Sequence, residues 1–166
     1  MEWFDPSSYI QHSNRITDIF GYWPSFHDAE VKSLTLSVAD EEPWNPGSVS
    51  PVLDMLIHVF EMTKEVTDEG YFVLAKHTLA HLQFRNVEGL QLSEFSYQNA
   101  IFEMAFGIEP MTYRFGGGPI DGPPPNIITV NINPSCGLSG EFKCQHVEVV
   151  AADPCDEDGK ALCAPQ

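Results

Sequence analysis

Six histidines, four cysteines and a large set of carboxylates are the groups in this chain whose types and spacing could do chemistry. His27 and Asp28 are neighbours in the stretch Phe20-Gly21-Tyr22-Trp23-Pro24-Ser25-Phe26-His27-Asp28-Ala29-Glu30, and an imidazole beside a carboxylate is a base and its orienter. Adjacent residues at the mouth of a strand point to opposite faces, so the two are not expected to pair, and the expected role is a turn in which each satisfies nearby backbone groups. His58, His77 and His81 form a second possibility. His77 and His81 are four apart, hence on one side of a strand, and with His58 and Asp28 they would offer nitrogen and oxygen ligands to a metal. A metal site needs three or four converging ligands with supporting partners. No ligand motif spaces these residues, so ordinary half-buried histidines of a sheet are the preferred reading. The cysteines at 136, 144, 155 and 163 include no C-x-x-C pair and are read as reduced thiols, Cys144 in the core, Cys155 and Cys163 at the surface. Gly116-Gly117-Gly118 lacks the Lys-Ser/Thr and the helix of a phosphate cradle, so Gly116–Asn126 is expected to be a surface loop. No Ser or Cys stands in a nucleophile elbow. No cofactor or metal is expected.

The elements that must position these groups are mostly strands. Ser7–Phe20 reads as a helix, capped by Ser7 or Ser8, with Ile16, Ile19 and Phe20 as its apolar stripe and Gly21 as its stop. Trp23-Pro24 sets an extended entry. Glu30–Val38 alternates, placing Leu34, Leu36 and Val38 inward. Asp40–Pro51 is an acidic, proline-bearing loop. Val52–Met62 is apolar on both faces, as a central strand would be. Beyond the polar turn Thr63–Gly70 follow Tyr71–Leu74 and then His77–Val87, with Thr78, Ala80, Leu82 and Phe84 on one face. Glu88–Tyr97 is a short helix or an irregular crossing. Gln98–Phe106 is a strand with Ala100, Phe102, Met104 and Phe106 on one side; Thr112–Phe115 and Ile127–Ile132 are two more. In Gly140–Val150 the pair Phe142 and Cys144 differs in parity from Val147 and Val149, which a bulge near Gln145-His146 would repair. The expected fold is mainly β, α+β at the margin: an antiparallel curled sheet or sandwich of about seven strands with an N-terminal helix packed on it. Residues 1–152 form a single domain and 153–166 an acidic, loose tail.

Three blocks carry a family resemblance. Trp23-Pro24-Ser25-Phe26-His27-Asp28-Ala29-Glu30-Val31 resembles the signature of the immunity protein 50 family, found beside polymorphic toxins in bacteria. Leu90-Gln91-Leu92-Ser93-Glu94-Phe95-Ser96-Tyr97-Gln98-Asn99-Ala100-Ile101 resembles that family's later block, and Gly140-Glu141-Phe142-Lys143-Cys144 its C-terminal strand. The resemblance implies a mostly β fold and a non-catalytic role, neutralising a cognate toxin by binding it. It marks Trp23, Pro24, Ser25, Phe26, His27, Asp28, Glu30, Gln98 and Asn99 as motif positions. The Gly116–Asn126 loop and the tail after Ala151 depart from the pattern.

Composition fits that role. At 166 residues, 43% hydrophobic and 11% aromatic, the chain can bury a real core. Twenty-four acidic against 8 basic residues give a formal charge of −16. Such a surface repels nucleic acid and attracts basic proteins. Charge points to a basic protein partner, and solubility alone explains the count equally well; the resemblance implies that the partner is a toxin, with neither nucleic acid nor membrane as a target, and oligomeric state is left open. Met1–Asp5 has no signal-peptide character and no apolar run is long enough to span a membrane, so a cytoplasmic location is expected. Trp23, Phe26, Trp44 and Tyr113 are candidate anchors for the partner, and Asp40, Glu41 and Glu42 supply steering charge. The alternatives are a metal-dependent enzyme on the histidines above and a small-ligand binding domain.

Overall fold

The computed structural model describes residues 4–39, 49–111 and 126–162. Asp40, Glu41, Glu42, Trp44, Tyr113, the expected strand Thr112–Phe115, most of the Gly116–Asn126 loop and Cys163 lie outside them. Eight strands are seen among the described residues: β1 (Glu30–Ala39), β2 (Ser50–Val66), β3 (Phe72–Arg85), β4 (Glu88–Ser93), β5 (Ile101–Pro110), β6 (Asn126–Pro134), β7 (Ser139–Cys144) and β8 (His146–Pro154). They form two four-stranded sheets, β1-β2-β3-β8 and β4-β7-β6-β5, with every ladder antiparallel. The fold is thus mainly β, and of the two expected forms it is the sandwich.

Alternation of side chains explains the core. Leu53 faces Phe84 and Phe84 faces Val147 across the first sheet; Met55, Leu82 and Val149 form the next row. All six are buried. Val130, Ile132, Phe142 and Cys144 line the facing sheet and are buried too. Phe84 and Phe142 meet across the layers edge-to-face with centroids 4.9 Å apart, a geometry that favours the ring quadrupoles.

The parity change at Gln145 has a different cause from the expected bulge. The chain leaves the second sheet at Cys144 and enters the first at His146, so Phe142 and Val147 point into the same core from opposite layers. A second crossing, Arg85 to Glu88, lies beside it: Gln145 N donates to Arg85 O at 3.1 Å, Val87 N donates to Pro51 O at 3.1 Å, and the Asn86 amide bonds the Gln145 side chain.

Several elements differ from expectation. The N-terminal segment is a 3-10 turn at Ser7–Tyr9 followed by α1 (Asn14–Phe20). His12 takes φ 55° between them, which no continuous helix permits. Ser13, not Ser7 or Ser8, stands at the α1 N-cap, and Gly21 closes it at φ 83°. Gln11 bonds the outer edge of β8, accepting from Val149 N and donating to Val147 O, each at 2.9 Å, and so covers a sheet edge that no other strand among the described residues pairs. In β1 a register shift between Val31 and Ser33 buries Val31. Leu34 and Leu36 oppose Met55 and Leu53, but β1 is an edge strand, and Leu36 and Val38 are 60% and 64% exposed. The leucine-bearing segment Glu88–Ser93 is a strand rather than a helix. β5 carries a shift between Ile101 and Glu103 that places Ile101 inward with Met104 and leaves Phe102 exposed. Residues 153–162 are tied to the body: β8 runs to Pro154, Cys155 is buried and donates its N–H to His77 O at 3.0 Å, and a turn at Asp156–Gly159 brings Ala161 back against Cys155.

Candidate functional site

The turn before β1 gathers most of the motif residues. Trp23 and Phe26 are buried, their rings packing edge-to-face at 5.7 Å, and Trp23 also meets Phe106 at 6.0 Å. These two expected partner anchors are therefore core residues. Phe26 takes φ 60° and Asp28 φ 64°. The first is an uncommon conformation for a bulky side chain, held here by burial of the ring and by the Phe26 O to Ala29 N turn bond of 3.0 Å.

That turn is clamped to the other sheet. Asp28 N donates to Ile101 O (2.9 Å), Ile101 N to Ala29 O (2.8 Å) and Val31 N to Asn99 O (3.0 Å). Asn99 is 3% exposed and its side-chain amide is fully used. Oδ1 accepts from Ser96 N at 2.9 Å and Leu138 N at 3.1 Å, while Nδ2 donates to Ser96 O at 2.9 Å and Val31 O at 3.4 Å. One buried amide thus joins the turn, the β4–β5 connection and the β6–β7 connection. Packing accounts for Asn99. Gln98 beside it is exposed. A β-carbon on Gly137, at φ +78°, would lie 2.2 Å from Gln98 O and 2.6 Å from Asn99 Oδ1, so glycine is required on both counts.

His27 and Asp28 are the motif side chains left half-exposed, at 52% and 41%. His27 Nδ1 donates to Phe102 O at 2.7 Å, since a carbonyl only accepts. Its ring stands edge-on to Phe102 at 5.3 Å. Nε2 is turned toward Asp28 Oδ2 at 3.6 Å. The two neighbours do face each other, contrary to the strand-based expectation, because Asp28 lies in a left-handed turn and not in a strand. They line a cleft of about 200 Å³ with Tyr22, Ser25, Phe60, Glu61 and Met62. Chemically the cleft presents an oriented imidazole, two carboxylates and apolar walls.

The three histidines of the possible metal site do not converge: His58 pairs with His77, and His81 with Asp54. His58 and His77 share a ring–ring hydrogen bond, Nε2 to Nδ1, at 2.9 Å. His58 is only 4% exposed, because Gly159 packs on its ring so closely that a β-carbon there would sit 2.8 Å away. Burial, and then the His77 and Lys32 charges, lower its pKa below the ordinary value, against a smaller pull from Glu30 and Asp156. His81 Nε2 bonds Asp54 Oδ1 at 2.7 Å, and Gln83 Nε2 bonds the same oxygen at 3.0 Å. Asp28 belongs to the His27 turn. The structure does not bring His58, His77, His81 and Asp28 together, and no group of three or more His, Cys, Asp or Glu among the described residues could hold a metal. Cys144 is buried and its thiol is pushed up to about 12. Cys155, expected at the surface, is buried and raised by the same cause, with Asp156 adding to it. Cys136 is exposed.

Two features were missed in the sequence. One is a shallow groove of about 560 Å³ on the outer face of the second sheet, lined by Gln91, Ser93, Asn131, Asn133 and Glu141 among others; alternate polar residues on β6 were its only signal. The other is the length of the β2–β3 hairpin. β1 pairs with β2 only up to Glu30 opposite His58, and β8 pairs with β3 only up to Pro154 opposite Thr78, yet β2 and β3 pair on to Val66 and Phe72. No family model, no curated protein and no solved structure matches the chain. No helix among the described residues is long and apolar enough to cross a membrane.

Proposed function

We propose that this protein is a non-catalytic immunity protein that binds a cognate basic toxin and neutralises it by covering its working surface. The observation that carries the reading is the charge: −16, from 24 acidic and 8 basic residues. A surface of that sign raises encounter rates with a basic partner by roughly 10- to 1,000-fold at low salt. The sequence resemblance supports the same role. Two of its three blocks meet at one joint, where the Trp23–Val31 turn is bonded to Asn99 and Ile101, with Leu138 of the β6–β7 connection held by the same Asn99 amide. The buried members, Trp23, Phe26 and Asn99, specify a scaffold, which leaves the partner-reading surface to exposed residues. An occluding interface of standard size buries about 1,600 Å² in total.

The test is co-expression of the chain with the toxin domain encoded beside its gene. The expected outcome is a stable complex through two purification steps and survival of cells that the toxin alone kills. Separate elution, with no protection of the cells, overturns the reading.

A further inference from the structure

We infer that the projecting end of the β2–β3 hairpin, residues 61–76, is the docking arm that carries the contact with a basic protein partner; the identity of that partner rests on the immunity reading above. Beyond His58 and Thr78 no strand among the described residues pairs with the hairpin on either side, and Cys155 reaches only as far as His77 O. Met62, Val66, Tyr71, Phe72 and Leu74 are 39–71% exposed on it. An exposed apolar cluster of this kind on a two-stranded ribbon is unusual without a partner, since single hairpins are marginal in water and exposed apolar patches mark contacts.

Charge decides the occupant. Glu65, Asp68 and Glu69 stand exposed at the tip against one exposed cation, Lys64, while Lys76 is paired to Glu61 at 3.1 Å. Apolar residues set among carboxylates suit a surface with an apolar centre and a Lys/Arg rim. Nucleic acid and anionic lipid are repelled by the same carboxylates, and a second copy of a chain at −16 is repelled as well. The arm reads its partner by side chains and not by adding a strand. Register shifts at Val59/Glu61 and Met62/Val66 and the left-handed Lys76, φ 55°, break both edges as templates. At its root the arm shares the His27–Asp28 cleft, where Met62 and the half-exposed Tyr22 line one wall. Arm and turn together offer a side of roughly 20 residues, what a standard interface requires.

The experiment measures binding of the full chain to the toxin domain encoded beside its gene, for wild type, Y71A/F72A and the control L36S at the opposite end of the sheet. The expected result is wild-type binding, a 30-fold or greater loss for Y71A/F72A (about the hot-spot range) and no change for L36S, with hydrogen-exchange protection of residues 61–76 in the wild-type complex. Wild-type binding that Y71A/F72A leaves intact, with no protection of 61–76, overturns the arm and spares the immunity reading. Absence of wild-type binding overturns the immunity reading and the arm's partner with it. Should Y71A/F72A unfold, the exchange footprint on the wild-type complex decides alone.

Discussion

Replacing Asn99 by alanine removes a side chain that bonds the turn before β1, the β4–β5 connection and the β6–β7 connection at once. Four backbone groups lose a partner: Ser96 N, Leu138 N, Ser96 O and Val31 O. The bonds to Leu138 N and Val31 O are buried and those to Ser96 are partly buried. A buried group left unsatisfied costs about 1–3 kcal/mol. The Val31 contact is long at 3.4 Å and falls at the low end, Leu138 N nearer the middle, and the Ser96 groups regain water. The sum is about 3–4 kcal/mol, a large part of the 5–15 kcal/mol typical of a domain. For a chain of this length that lowers the melting temperature by about 10 °C. Urea denaturation followed by tryptophan fluorescence reads it directly, because Trp23 is buried close to the same turn; the midpoint drops while the slope is unchanged. A loss below about 1 kcal/mol, with the slope unchanged, would refute the claim that this amide is the joint.

Three further outcomes follow from the same geometry. Gly159→Ala forces a β-carbon into φ +73° and to 2.8 Å from the His58 ring; it should loosen residues 155–161, lowering stability by about 1–3 kcal/mol, and an unchanged urea midpoint contradicts that packing. Burial lowers the pKa of His58, and of His146 with the help of Arg85. Between that lowered value and 6.5 the unfolded chain binds more protons than the native one, so this contribution to stability is complete above about pH 6.5 and is lost as pH falls through that window. His58→Gln should flatten the fall in midpoint from pH 7 to 5 relative to wild type, and identical slopes would count against it. Under native conditions at pH 8, iodoacetamide should label exposed Cys136 and spare buried Cys144, whose thiol stays protonated; rapid labelling of Cys144 in the folded protein contradicts its place in the core.

The sandwich was legible wherever one face of a strand is buried along its length. Thr78, Ala80, Leu82 and Phe84 alternate inward on β3 as their spacing predicts, and so do Val130 and Ile132 on β6. Legibility failed where the chain changes layer or hand. At Gln145 the parity switch records a passage between sheets, which produces the same pattern as a bulge. At Asp28 a left-handed residue turns two neighbours toward each other, a choice that tertiary bonds to Ile101 impose and local sequence does not. Leu36 and Val38 face the core side but sit on an edge strand, and only the strand order reveals an edge. The acidic run 153–158 reads as a loose tail, yet Cys155 and Gly159 lock it over His58 and His77. In the turn site, residue type marked His27, Asp28 and Asn99 as special. It did not show that Trp23 and Phe26 serve the core, because an aromatic has the same composition signal in a core and in an interface.

The most direct trial of the proposed immunity role is an inhibition titration: purified chain added to the purified toxin that this role requires beside its gene, while that toxin's activity is followed. The account predicts a linear fall to zero at one chain per toxin, with an apparent Kd in the nanomolar range that weakens steeply as salt is raised. Undiminished toxin activity at an excess of chain, in low salt, contradicts it.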